Sequence, residues 1–123
     1  MNNANTPPQS SQPTVIAVGD IVLVAYPFSD GTGDKRRPAL VLSTVDAYGD
    51  TLLMGITSKQ GAKNTVALNN TDLSLGQLPM TSWLKSGSVT AVHQSRIFKV
   101  LAKVKPVVLS AARTQICPRL GCK

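Results

Sequence analysis

Two polar side chains of this chain stand at the ends of apolar runs and carry groups suited to phosphate chemistry. Arg37 precedes Pro38 and the run 39–42 (ALVL), and its guanidinium is a permanently charged planar fork that fits phosphate oxygens. At a scissile phosphate it would stabilise the charge of a pentacoordinate transition state. Thr57 ends the run 51–57 (TLLMGIT), where its hydroxyl would donate to a phosphate oxygen from the rim of a sheet. We predict both as candidate catalytic residues.

Each of these candidates also has a purely structural explanation. Arg37 could pair with Asp30 or Asp34 in the loop that precedes it. Thr57 could be an ordinary strand residue, because threonine has a high β propensity. Ser58 would take over the role of the threonine if the strand register slipped by one residue.

Further cations and aromatic residues flank the two candidates. Lys35, Arg36 and Lys59 fit phosphate contacts that add affinity without sequence information. The aromatic residues either stack on unpaired bases or form part of the core; they are Tyr26, Phe28 and Trp83. His93 is the only histidine, and we interpret it as structural or peripheral.

A predicted hairpin over residues 19–43 would position Arg37. The runs 22–26 (VLVAY) and 39–42 are short and bounded by turn residues, which fits strands buried on both faces better than helices. The segment 29–34 (SDGTGD) between them is a flexible loop by composition. Pro38 starts the second strand, where the loss of a backbone donor is tolerated.

More short strands and a terminal helix follow the hairpin. The runs 51–57 and 65–68 predict two strands, 88–93 has strand composition, and 78–83 is ambiguous. Between 97 and 104 apolar and basic residues alternate, which predicts a strand with its lysines toward water. The helix is predicted to begin at Pro106, to bury an apolar stripe and to end at Pro118 and Gly121; the stripe is Val108, Leu109, Ala112 and Ile116.

These elements predict one small, mostly β (α+β) domain, a barrel or a sandwich. Residues 1–14 carry no charged side chain and are rich in Asn, Gln, Ser and Pro, so we predict a disordered N-terminal tail before a domain over 15–123. The chain has no run of apolar residues long enough for a membrane span. The acids are scattered without metal-ligand spacing, and Cys117 and Cys122 are expected to be reduced thiols in a cytoplasmic protein.

The net charge of +7 is unevenly distributed along the chain. All six acids are Asp, the last of them is Asp72, and eight Lys or Arg follow between Leu73 and Lys123. Such an excess is typical of a protein that binds a polyanion or an acidic protein, although it could also be a merely soluble basic surface.

The first half of the chain resembles the MazF/PemK family of toxins. The matching pieces are Gly19–Val24, Pro27-Phe28 and Lys35–Ser43, with Arg-Pro before four apolar residues as the most specific of them. In the second half, Leu78–Lys85 resembles the Leu-Pro-x-x-Ser-x-Val segment of PemK-like relatives, and Ser88-Val89 offers a second register for it.

The resemblance implies an SH3-like barrel of five to seven strands with a C-terminal helix, usually as a homodimer. It also implies a cytoplasmic, metal-independent and cofactor-free endoribonuclease (mRNA interferase) toxin that cleaves single-stranded RNA to 2′,3′-cyclic phosphate and 5′-hydroxyl ends and binds an acidic antitoxin. Carried over to this sequence, Arg37 is the catalytic Arg of the Arg-Pro pair and Thr57 the Thr that holds the reacting phosphate. The flanking residues are then expected to bind RNA: Lys35, Arg36, Ser58 and Lys59.

Two other functions remain compatible with the sequence. One is a non-catalytic SH3-like module that binds nucleic acid or protein, since a fold does not fix a function. The other is a toxin relative that acts on gyrase through protein contact.

Overall fold

Seven antiparallel strands form one sheet in the computed structural model, which describes residues 15–26, 35–61 and 63–121. The strands are β1 (Asp20–Tyr26), β2 (Lys35–Val41), β3 (Asp50–Thr57), β4 (Thr65–Leu68), β5 (Leu73–Gly76), β6 (Ser82–His93) and β7 (Ile97–Val104). A helix, α1 (Pro106–Leu120), follows β7. The strand order is β4-β6-β3-β2-β1-β7-β5, and the sheet curls into a half-barrel. The predicted small, mostly β barrel with a C-terminal helix is confirmed.

Several predictions concern residues outside the described part of the chain. These residues are the tail 1–14 and the loop 29–34, together with Phe28. The proposed ion pairs of Arg37 with Asp30 or Asp34 therefore stay predictions.

The hairpin of β1 and β2 is buried on both faces, as its unbroken apolar runs predict. The neighbouring residues Ile21 and Val22 are both fully buried, although side chains alternate between the two faces of a strand. Two apolar clusters account for this, one on each face. The helix-side cluster packs α1 against the sheet and includes Ile21, Leu40, Met54, Ile56, Leu84, Val108, Ala112 and Ile116. The second cluster contains Val22, Val24, Ala39, Val41, Leu53, Val92 and Ile97.

The strand β6 is longer than the sequence pattern indicates. It runs for 12 residues and joins the end of the ambiguous segment 78–83 to the predicted strand 88–93. Its pairing with β3 is interrupted, because Met54 lies opposite Val89 whereas Ile56 lies opposite Leu84. The extra residues of β6 bulge against Gly55, where an added Cβ would lie only 3.0 Å from the hydroxyl oxygen of Ser88.

The simple alternation predicted for residues 97–104 is wrong for the first half of β7. Ala102 and Val104 are buried as expected, but Phe98 and Val100 are 44% and 39% exposed, and Ile97 is buried. The pairing of β7 with β1 shifts register twice. Each shift inserts an extra residue into β7 and reverses which face the following side chains occupy.

The helix α1 begins at Pro106 and buries three residues of the predicted stripe, while Leu109 packs against them half-buried. Pro118 lies inside the last turn instead of ending the helix. The end comes at Gly121, whose φ of 81° is the left-handed conformation that glycine adopts without strain. Cys117 is disulfide-bonded, which contradicts the expectation of reduced thiols. No helix among the described residues has the length and apolar content to cross a bilayer.

Candidate active site

The two predicted catalytic residues lie at the same end of the sheet. Ala39 of β2 is directly opposite Gly55 of β3. The β2–β3 pairing ends at these two residues, and counting two residues further along each antiparallel strand leads to Arg37 and Thr57. Side chains alternate along a strand, so these two share the face of the Ala39–Gly55 pair. Their separate strands thus bring a guanidinium and a hydroxyl to one rim.

The side chain of Arg37 is exposed, although the four residues that follow Pro38 are buried. On its other side β2 pairs with β1, and there Arg37 lies opposite the fully buried Val24. The backbone of Arg37 is therefore held in the centre of the sheet, while its side chain reaches solvent. A cation in this position can meet a phosphate without being taken out of water in the free protein.

The hydroxyl of Thr57 is half-buried and has a defined orientation. Its Oγ1 accepts a hydrogen bond from the backbone N–H of Lys59 at 3.0 Å. This bond uses a lone pair of the oxygen, so the O–H hydrogen can still donate to an anion. On the opposite side Thr57 pairs with Trp83 of β6, whose ring is half-buried beside it.

A pocket of about 360 Å³ opens at this end of the sheet. Its floor is apolar and its polar groups come from four strands or their ends. The lining residues are Leu23, Arg37, Pro38, Ile56, Ser58, Leu78, Pro79, Met80, Ser82, Lys99 and Leu101. Leu23, Pro38 and Ile56 lie on the helix-side face, whereas the alternation of side chains puts Arg37 on the other face. Because Arg37 also lines the pocket, it borders both this pocket and the Thr57 side of the rim. A mostly apolar hollow with a few convergent polar groups is typical of a ligand site.

The other predicted site residues lie around the pocket in different ways. Ser58 lines it and is exposed, whereas Lys59 is exposed just beyond the strand end. Arg36 is exposed, and its guanidinium carbon lies 3.8 Å from the centre of the Phe98 ring. For Lys35 the structure describes the backbone position, which is opposite Tyr26 of β1.

Sequence reasoning missed Lys99 as a member of this site. Lys99 lies opposite Leu23 in the β1–β7 pairing, and Leu23 lies opposite Pro38 in the β1–β2 pairing. The sequence predicts that this lysine faces water but does not predict which strands lie beside it. Only the long-range order β2-β1-β7 brings Lys99 into the same pocket as Arg37.

His93 lies at the opposite end of the sheet. It pairs with Asp50, the first residue of β3, whereas Thr57 is the last; seven residue steps of about 3.3 Å separate the two ends by roughly 23 Å. Its Nδ1 accepts a hydrogen bond from the backbone N–H of Ser95 at 3.1 Å and lies 2.9 Å from the Ser95 hydroxyl. The ring thus caps the 3₁₀ turn Gln94–Arg96.

Metal-ligating side chains do not gather in the part of the chain that the structure describes. No group of three or more His, Cys, Asp or Glu side chains lies together within residues 15–26, 35–61 and 63–121. Asp20, for example, forms an ion pair with Lys103 at 3.0 Å.

The sequence and the fold agree with a known family of toxins. A family model described as PemK-like, MazF-like toxin of type II toxin–antitoxin system matches residues 17–119. The chain therefore belongs to this family, whose members are known as endoribonucleases.

Solved structures of this family share the architecture over nearly the whole chain. The MazE–MazF complex (Form-III) from Deinococcus radiodurans is 26% identical with a TM-score of 0.69, covering 89% of this chain and 99% of that one. MazF (Form-I) from the same organism is 26% identical with a TM-score of 0.68, covering 87% and 97%.

A more distant match shows the fold alone. It is an endoribonuclease in complex with its cognate antitoxin from Mycobacterial species, 17% identical with a TM-score of 0.63 and covering 86% and 93% of the two chains. The comparison with curated proteins finds no match.

Proposed function

We propose that this chain is the toxin of a toxin–antitoxin pair and acts as a metal-independent endoribonuclease on single-stranded RNA. The observation that supports the proposal is that Arg37 and Thr57 lie two residues beyond the last β2–β3 pair, Ala39 with Gly55, in a member of the MazF-like family. The two residues come from different strands, and the paired part of these strands is buried on both faces.

The proposed reaction is an internal transfer at phosphorus. The ribose 2′-oxygen attacks the adjacent phosphorus and loses its proton, a new P–O2′ bond forms, and the P–O5′ bond breaks. The products are a 2′,3′-cyclic phosphate and a 5′-oxygen that takes up a proton to become a hydroxyl. Arg37 stabilises the extra negative charge of the phosphorane, and Thr57 donates a hydrogen bond to one of its oxygens.

Single-stranded RNA suits this surface better than a duplex. Exposed cations near the rim, Arg36 and Lys59, contact the backbone, and the pocket offers an apolar floor to an unpaired base. In an A-form duplex the bases are stacked and could not enter such a pocket.

The proposed protein partner is an acidic antitoxin that covers the same cations. Two of the similar structures are complexes of the toxin with its antitoxin. An acidic segment would be attracted by the basic rim and would exclude RNA from it. The homodimer and the cytoplasmic location implied by the resemblance are part of this proposal.

The test is the cleavage of a long single-stranded RNA by the purified chain in EDTA. We expect 2′,3′-cyclic phosphate ends from the wild type and a loss of about a hundred- to a thousandfold in rate for Arg37→Ala, with RNA binding retained. Arg113→Ala is the matched control, because Arg113 is an exposed arginine of α1. If wild type and Arg37→Ala bind RNA and leave it equally intact, the chain is a binding module. Inhibition of gyrase without RNA loss would indicate the other rival function.

A further inference from the structure

The bulge in β7 brings Phe98 to the surface beside a cation. The pairing with β1 passes from Leu23 opposite Lys99 to Val24 opposite Ile97, so Phe98 falls between two pairs of this register. As a result its ring is 44% exposed, although the apolar pattern of the strand would turn it inward. Bulges often re-aim a side chain in this way next to a functional site.

Arg36 lies over the exposed ring. Its guanidinium carbon is 3.8 Å from the ring centre, a distance at which the cation rests on the π face. Arg36 is itself exposed, so a ligand in solution can reach this pair of side chains. The pair forms a small two-layer platform, Phe98 below and Arg36 above, which we call the Arg36–Phe98 platform.

The platform borders the pocket that contains Arg37. Arg36 is two residues from Pro38 on β2, so its side chain leaves the sheet on the same face as this pocket residue. Phe98 directly precedes Lys99, which also lines the pocket. Ser58, a third lining residue, follows the end of β3, the strand that pairs with β2. The stack therefore lies next to residues that line the pocket.

We propose that the Arg36–Phe98 platform stacks one unpaired nucleobase of the bound RNA, on the pocket side of the rim at which Arg37 would hold a phosphate. This rests on the proposed function and adds a base-binding subsite to it. Nucleobases stack on aromatic rings and on the plane of Arg guanidinium groups. Phe98 already contacts the guanidinium before RNA arrives, so less side-chain freedom is lost when a base settles against it.

The experiment first uses the mapped cut site and then removes single bases around it. A short RNA spanning the cut carries a 2′-deoxy nucleotide in place of the attacking hydroxyl, so that it binds without being cleaved. A series of such RNAs has one abasic nucleotide at each of the two positions on either side. Fluorescence anisotropy measures the dissociation constant of each RNA for the wild type, Phe98→Leu and Arg36→Lys.

We expect Phe98→Leu to weaken binding of the intact RNA about tenfold, within the range of one lost base stack. An abasic nucleotide at one position weakens binding to the wild type by a similar factor. The same RNA binds Phe98→Leu about as tightly as the intact RNA does, because this variant has already lost the stack. Phe98→Tyr restores binding, and Arg36→Lys weakens it although the charge is kept. Tyr48→Leu is the control, since Tyr48 is an 84% exposed aromatic residue outside the pocket.

Failure of this inference differs from failure of the proposed function. If the wild type cleaves RNA but every abasic position affects wild type and Phe98→Leu equally, the platform stacks no base. Equal binding by Arg36→Lys and wild type would also overturn it, because then only the charge matters. If the wild type cleaves no RNA, the proposed function itself is wrong and the subsite falls with it.

Discussion

The two ends of the sheet carry the same kinds of side chain in different surroundings. At one end, which we call the closed end, polar groups bond to the protein itself: Thr51 donates to the carbonyl of Ser43 at 2.7 Å, and Lys103 pairs with Asp20 at 3.0 Å. At the other, the open end, Arg37 is exposed and Lys99 lines the pocket. Under the proposed function, the groups of the closed end stabilise the fold and those of the open end bind the ligand.

Two strands carry a matched pair of residues, one at each end. On β3, Thr51 is 2% exposed at the closed end while Thr57 is half-buried at the open end. On β7, Lys103 is in the ion pair of the closed end while Lys99 lines the pocket. Each pair compares the same residue type on the same strand, so substitutions can separate stability from function.

Thr57→Val should produce the largest change. The substitution keeps the shape and β propensity of the side chain and removes the hydroxyl that would donate to the phosphate. Loss of one such donor costs about a hundred- to a thousandfold in the cleavage rate. Single-turnover cleavage of single-stranded RNA measures the effect, and Thr57→Ser should restore most of the rate. The free energy of unfolding should fall by less than about 1 kcal/mol, because the lost bond from Lys59 is exposed.

Thr51→Val is the control for this prediction and should have the opposite profile. It removes the hydrogen bond to Ser43 from a buried site, which should lower the free energy of unfolding by about 1–2 kcal/mol. The folded fraction should cleave RNA at the wild-type rate. If Thr51→Val slows cleavage by the folded protein as strongly as Thr57→Val does, the two ends do not differ in function.

The sequence predicts the open end well where local chemistry determines it. The apolar run before Thr57 predicts β3 closely and β4 has the predicted bounds 65–68, whereas β2 begins at Lys35, three residues before its predicted start at Pro38. These strands are central or bounded by clear turn residues, so burial and pattern agree. The identity of the two candidate residues needed only their positions at strand ends and a resemblance to a family.

The residues that the sequence did not predict depend on register. Phe98 is exposed because of a bulge whose position is decided by how β7 fits against β1, not by its own pattern. Lys99 reaches the pocket because β7 is the neighbour of β1 on the side away from β2. Likewise β6 continues past a predicted break because its extra residues find room against Gly55. Such long-range pairings produce no pattern of fixed spacing in the sequence.

The comparison of Lys99→Ala with Lys103→Ala is expected to show the smallest effect, a change in RNA binding and in its salt dependence. Lys99 is expected to contact an RNA phosphate, so its removal should weaken binding about five- to tenfold at about 0.1 M salt and lower the slope of log affinity against log salt by about 1. Anisotropy titrations at several salt concentrations measure both. Thermal unfolding should be unchanged, because Lys99 is exposed.

Lys103→Ala should leave the salt slope as it is in the wild type. Lys103 is partly exposed in its pair with Asp20, and such pairs contribute up to about 1 kcal/mol, so the free energy of unfolding should fall by no more than that. Both variants lose one positive charge from the same strand, so a general effect of net charge would lower the two slopes equally. Equal slopes would mean that RNA does not distinguish the two ends of β7. A change for Lys99→Ala alone would place a phosphate of the bound RNA at the pocket beside Arg37.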